Sequence, residues 1–186
     1  MRRGIRSVPL RRRIFVACEG ESEQGYGALL QRIADDQQTP HIFLDLQLIG
    51  GGDPLSVVEG AQRREREQSL RYGQFELRAI FLDYDRLGQQ PARDARIAAI
   101  AAAGNFLLVW QRPCFEGFLL RHLPGCQALR PPTSQLALTA VTQRWPDYRK
   151  PMPGARLAMR IAHSEICAAT TVEADLKAFL NSINFL

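Results

Sequence analysis

The sequence predicts an α/β fold, a mostly parallel four-stranded sheet flanked by helices, followed by a C-terminal helical appendage. Two observations carry this. Strand-length apolar runs alternate with segments of helical periodicity across short connections, the pattern of parallel βαβ units. Beyond residue 124 the text changes to proline-rich loops and helical stretches with no further strand pattern. The elements follow in order. Ile14–Cys18 is a first strand. Tyr26, Leu29, Leu30 and Ile33 recur at helical spacing, giving a helix from Glu23 to about Ala34 that Ser22 can cap. "HIFLDLQLI" is a second strand, closed by Gly50, Gly51 and Gly52. In "DPLSVVEGAQRRERE", Asp53 suits a helix cap and Pro54 its first turn. "LRAIFLDYD" is a third strand, and "ARDARIAAIAAAG" an amphipathic helix closed by Gly104. "NFLLVW" is a fourth strand, with a helix from about Cys114 to His122 directly after it. Three more helices are expected near 134–144, 155–168 and 171–182.

The 186 residues fit one domain with a sizeable core, divided as a basic arm (1–13), an α/β core (14–124) and the appendage (125–186). No apolar stretch approaches the ~18 residues of a membrane span. The basic N-terminus lacks the apolar region and cleavage site of a secretory signal. Four cysteines (Cys18, Cys114, Cys126, Cys167) are far apart with no CxxC pair, which points to free thiols and a cytoplasmic location. Residues 1–13 carry six arginines and no acid, so of the net charge of +5 the other 173 residues hold −1. Arg11, Arg12 and Arg13 at the end of this arm are candidates for phosphate contact, unless the arm is simply solubilising.

The chemistry-bearing residues are carboxylates. The first strand runs into "CEGESEQGY", with Glu19, Glu21 and Glu23 in five residues. The third ends in Asp83-Tyr84-Asp85, and alternate strand residues share a face, so both aspartates are expected to project together. Neighbouring carboxylates are costly to ionise without a cation between them, and an all-oxygen set suits Mg²⁺ or Mn²⁺. In open α/β sheets, sites form beyond the carboxyl ends of strands where the strand order reverses, so Glu19 meets Asp83 and Asp85 if strands one and three are neighbours. Glu116 falls in the first turn of the helix after Pro113, where the dipole favours a carboxylate, at the same sheet edge. Glu23 either reaches this site or serves the helix N-terminus, and Glu21 belongs to solvent. His122 either contacts phosphate or packs. Lys150, one of two lysines beside 22 arginines, is either a surface charge or a compact ammonium for a scissile phosphate. The glycine run lacks the Gly-Lys-Ser/Thr of a P-loop and reads as a tight turn. A haloacid-dehalogenase reading fails, because that motif ends the first strand with Thr or Val two residues on, where this chain has Leu87 after a third strand.

Three ordered segments resemble the RloB-like proteins, a Toprim-related bacterial group. "CEGESEQGY" is similar to that group's CEG-x-x-(S/T)-E-x-x-Y opening, "AIFLDYD" to its "VFDRD" strand, and "RPCFEGFLLRH" to its "PCFELWLLLH" segment; the likeness spans roughly residues 13–125. Departures are Gly27, Leu87, and Gly117 and Arg121 in place of apolar residues; none removes an acid. The resemblance implies a Toprim-like fold and a metal-dependent nuclease of bacterial defence. In that reading Glu19, Asp83, Asp85 and Glu116 hold Mg²⁺ or Mn²⁺, and Glu19, Glu23 and Lys150 serve catalysis. The implied partners are DNA or RNA, an AAA- or ABC-type ATPase and a second copy of the chain. A regulatory or nucleic-acid-binding subunit without catalysis is the alternative, since fold likeness alone does not establish chemistry.

Overall fold

The computed structural model describes residues 10–37 and 41–186. Its strands are β1 (Arg12–Cys18), β2 (Ile42–Leu48), β3 (Leu77–Asp83) and β4 (Phe106–Gln111). They alternate with helices α1 (Glu21–Gln37), α2 (Pro54–Tyr72) and α3 (Pro91–Gly104), and α4 (Phe115–Leu120) follows β4. The remainder holds α5 (Ser134–Arg144), α6 (Gly154–Leu157), α7 (His163–Thr170) and α8 (Ala174–Ser182). All four strands are parallel in the order β2-β1-β3-β4. The chain steps from β1 outward to β2, then crosses back to place β3 on the other side of β1. The order therefore reverses between β1 and β3, and their carboxyl ends flank the crevice that this topology opens.

Both sheet faces are covered over β1, β3 and β4, which is why these strands are mainly apolar runs, while the edge strand β2 alternates with polar Asp45 and Gln47. Ile14, Val16 and Cys18 of β1 face Tyr26, Leu29 and Leu30 of α1 and the C-terminal helices. Phe15 and Ala17, pointing the other way, pack with Val57 and Val58 of α2 and Ile97 of α3. Phe179 of α8 meets Phe81 of β3 edge to face, with centroids 5.5 Å apart. Residues 125–186 thus complete one helical layer of a shared core rather than forming a separate body.

Local chemistry sets most boundaries. Asp53 caps α2, its carboxylate accepting from the Leu55 N–H at 3.1 Å, with Pro54 in the first turn. The α3 helix runs through Gly104, and Asn105 supplies the left-handed cap with φ 52°. The Gly50–Gly52 turn takes φ of 97° at Gly50 and 151° at Gly52, conformations only glycine enters without strain.

Several expectations need correction. Arg12 and Arg13 lie inside β1, and the basic arm does not extend through residue 13. The stretch expected as one helix at 155–168 is two, α6 and α7, separated by a turn in which Ile161 is buried and the Ala162 N–H is held by the Glu165 carboxylate at 3.0 Å. The α1 helix starts at Glu21, so Ser22 lies inside it and is not its cap. The third strand ends at Asp83, so Asp85 is not on it. The four cysteines are free thiols. Among the described residues no helix is long and apolar enough to cross a membrane.

Candidate functional site

At the β1/β3 crevice, Glu19 directly follows β1 and Asp83 ends β3. Backbone groups fix their carboxylates: Glu19 Oε2 accepts the Asp83 N–H at 3.1 Å, and Asp83 Oδ1 accepts the Phe115 N–H at 2.8 Å, at the start of α4. Glu23, in the first turn of α1, accepts the Gly20 N–H through Oε2 at 3.0 Å. The buried Gln111 amide stands between acids; with its nitrogen toward them it donates to Asp83 Oδ1 at 3.1 Å and Glu23 Oε1 at 3.2 Å. These groups open on a cleft of about 490 Å³ lined by Glu19, Glu21, Ser22, Glu23, Asp83 and Lys150, with Gly51 of the glycine turn on its edge.

The cleft is short of positive charge. Burial, then the charges of Glu19, Glu23 and Asp85, push the Asp83 carboxyl up to about 8. Burial also raises Glu19, against the backbone N–H groups of Asp83 and Gly52, and raises Glu23, with the Glu19 charge adding to it. Three acids whose ionisation opposes itself this way favour a ligand that brings positive charge. Ser22, a residue of the cleft wall, is 2% exposed, and its hydroxyl is buried without a hydrogen-bond partner, a costly arrangement.

Lys150 supplies the cleft's cation. Its Nζ pairs with Glu116 Oε1 at 2.8 Å while the side chain stays half-exposed. Glu116 is buried and also accepts from the Tyr148 hydroxyl at 3.0 Å and the Cys114 thiol at 3.2 Å. Burial works to raise the Glu116 carboxyl, but the Lys150 ammonium and these donors hold it below its usual range. Burial likewise works to lower the Lys150 ammonium, and Glu116, Asp83 and Glu23 together keep it raised.

The loop carrying Lys150 is positioned by two glycines. A Cβ on Gly25 of α1 would sit 2.2 Å from the Met152 carbonyl oxygen, and one on Gly154 would sit 2.7 Å from the Gly25 oxygen. Here α1 and the Lys150–Gly154 segment touch backbone to backbone. Gly25→Val is expected to cost about 1–3 kcal/mol by overpacking, read as a lower urea midpoint with an unchanged m value.

The remaining candidates fall elsewhere. Asp85 lies in the turn after β3, exposed, with its carboxylate taking the Ser134 hydroxyl at 3.0 Å; it acts on Asp83 through its charge and does not line the cleft. Glu116 is the counter-ion of Lys150 rather than a free ligand at the cleft. Glu21 is exposed as expected, though it lies on the cleft's rim. His122 is fully buried: its Nδ1 lies 3.0 Å from the Phe118 carbonyl and must donate to it, so Nε2 accepts from the Tyr26 hydroxyl at 2.8 Å. A phosphate role for it is excluded. Arg11, Arg12 and Arg13 pair with Asp35, Glu76 and Asp45 at 2.8, 2.7 and 2.7 Å, at the amino end of β1, opposite the cleft. That contradicts their reading as a free phosphate-binding arm: strand pairing brings Glu76 to Arg12 and Asp45 to Arg13, and α1 brings Asp35 to Arg11; Arg2, Arg3 and Arg6 lie outside the described residues. Sequence reasoning missed Ser22 as a residue of the cleft wall and Gln111 as the bridge between acids; the place of Ser22 directly before Glu23 is the local signal for it.

The donor set suits a hard cation. Among the described residues no three His, Cys, Asp or Glu side chains converge as a ready-made metal cage. Mg²⁺ does not require one, since it keeps several waters and is held by one or two carboxylates together with substrate phosphates. Comparison with family models, curated proteins and solved structures finds no match to this chain.

Proposed function

We propose that this chain is a divalent-metal-dependent phosphodiesterase acting on DNA or RNA, of the RloB-like, Toprim-related kind, working in the cytoplasm beside an AAA- or ABC-type ATPase in bacterial defence. One observation supports the reading: Glu19, Glu23 and Asp83 line one cleft at the β1/β3 switch point, together with Lys150. Glu19 and Asp83, with Glu23 beside them, would hold Mg²⁺ or Mn²⁺, which supplies charge stabilisation at phosphorus and a more acidic bound water. In an alternative arrangement Glu19 leaves the metal to the other acids and takes the proton of the attacking water as general base. Lys150, steadied by Glu116, which Tyr148 also holds, presents an ammonium to a phosphate oxygen. Gln111 and the Phe115 N–H hold Asp83 in place during these steps.

The purified chain is expected to cleave plasmid DNA or single-stranded RNA with Mg²⁺ or Mn²⁺. Asp83→Ala is expected to lower that rate tenfold or more with an unchanged circular dichroism spectrum. Absence of cleavage with both metals, with and without the ATPase, would leave the second reading, a docking or regulatory subunit. The missing three-acid cage is the observation that favours that alternative.

A further inference from the structure

The near-neutral charge outside the first 13 residues conceals a segregation. Residues 124–163 hold six basic side chains, Arg130, Arg144, Arg149, Lys150, Arg156 and Arg160, against one acid, Asp147. Three of them, Arg149, Arg156 and Arg160, line a pocket of about 550 Å³ with Trp145, Met152 and Met159, and Asp147 lines it too, leaving an excess of two positive charges. That volume is within the ~300–1,000 Å³ of pockets that enclose a small ligand. Among the described residues none of the three arginines is in an ion pair. Arg149 Nη1 reaches the Pro146 and Tyr148 carbonyls at 2.7 Å each, and Arg160 Nη1 the Arg144 carbonyl at 3.0 Å. Arg160 also lies over the Trp145 ring, 5.6 Å from its centroid. These contacts aim the guanidinium groups while leaving their charge unneutralised.

We infer that this pocket binds single-stranded nucleic acid, with the arginines on successive phosphates and one splayed base against the exposed Met159, beside the buried Trp145 and Met152. The combination of cationic rim and apolar, aromatic floor is the chemistry that holds a single strand without reading its sequence. A duplex keeps its bases stacked inside and has none to place there. Neighbouring residues of one loop line both the pocket and the acid cleft: Arg149 and Met152 line the pocket, Lys150 and Pro151 the cleft. A strand seated on the arginines is thereby led toward Glu19 and Asp83. The inference rests on the phosphodiesterase reading for that direction, and its test is independent of cleavage.

The test is anisotropy of a fluorescein-labelled single-stranded 15-mer in EDTA. Arg149→Ala/Arg156→Ala/Arg160→Ala is expected to bind at least tenfold more weakly than wild type. Its slope of log affinity against log salt should be shallower by about 2, since each lost phosphate contact removes ~0.7. All three side chains are exposed, so the fold should be unaffected. Arg63→Ala/Arg66→Ala/Arg71→Ala removes the same charge from exposed positions on α2, a helix packed on the other sheet face, and is expected to bind within threefold of wild type. Equal losses in the two triple variants, tighter binding of duplex than of single strand, or no binding by wild type each overturn the assignment. Full binding by Asp83→Ala together with no cleavage by wild type would sustain this site while removing the phosphodiesterase.

Discussion

Glu173→Ala is expected to destabilise the protein by about 3–5 kcal/mol, the cost of stranding one member of a buried ion pair. Arg121 at the end of α4 is 1% exposed and Glu173, just before α8, is 4% exposed. Arg121 donates through Nε to Glu173 Oε1 and through Nη2 to the Arg112 carbonyl at 2.7 Å, and Nη1 has no partner. Burial opposes both charges, lowering the Arg121 guanidinium and raising the Glu173 carboxyl, and each is sustained chiefly by the other. Removing the carboxylate leaves a guanidinium without a counter-charge in a site closed to water. Chemical denaturation measures the loss. The double variant Arg121→Met/Glu173→Leu is expected to recover most of it, because a buried pair replaced by apolar side chains of similar volume is often neutral or better. If Glu173→Ala alone costs less than 1 kcal/mol, the pair is solvated in solution and the argument fails.

His122 should make stability fall as the solution is acidified. Burial lowers its imidazole to about 4, against an ordinary value near 6.5, and the neighbouring Arg121 charge adds to this. The sign follows from linkage. Between these values the unfolded chain binds a proton that the folded chain refuses, so stability is full above about pH 6.5 and is lost progressively down to about pH 4. The loss is about 3 kcal/mol at the lower limit, on 1.36 kcal/mol per unit. Carboxylates titrate nearby, so the measurement is the difference between wild type and His122→Gln in urea midpoint across pH 4–7.5. The variant should lack the slope that the imidazole contributes. Parallel profiles would mean that the ring is hydrated or protonated in the folded protein.

The alternation of elements was legible because burial on both sheet faces imposes continuous apolar strands, and Asp53-Pro54 announces a helix start by itself. Glu19 and Asp83 were legible for the same reason, as acids abutting apolar runs. The errors share a cause: they concern groups whose partners lie far away in the chain. Arg11, Arg12 and Arg13 look like a free cationic arm until the fold delivers Asp35, Glu76 and Asp45 to them. Arg121 looks misplaced until Glu173, 52 residues on, is brought to it. Gly117 looks like a lost apolar side chain, yet a Cβ there would meet the Arg112 oxygen and the Pro113 Cδ at 2.6 Å, so the close turn into α4 admits only glycine. Asp85 was misplaced because nothing local shows that β3 pairing stops at Asp83.

The backbone contact between Gly25 and the Met152–Gly154 segment has a consequence for how this protein can vary. Lys150 is three residues from Pro153 and four from Gly154, where the chain is pinned to α1. Deleting one residue between them would drag the ammonium by up to ~3.8 Å, the spacing of consecutive Cα atoms. That displacement would part it from Glu116 and pull Arg149 out of line in the same movement. Exchanging the side chain at Pro153, which is exposed, leaves that distance intact. Variation here should therefore appear as substitution and not as insertion or deletion.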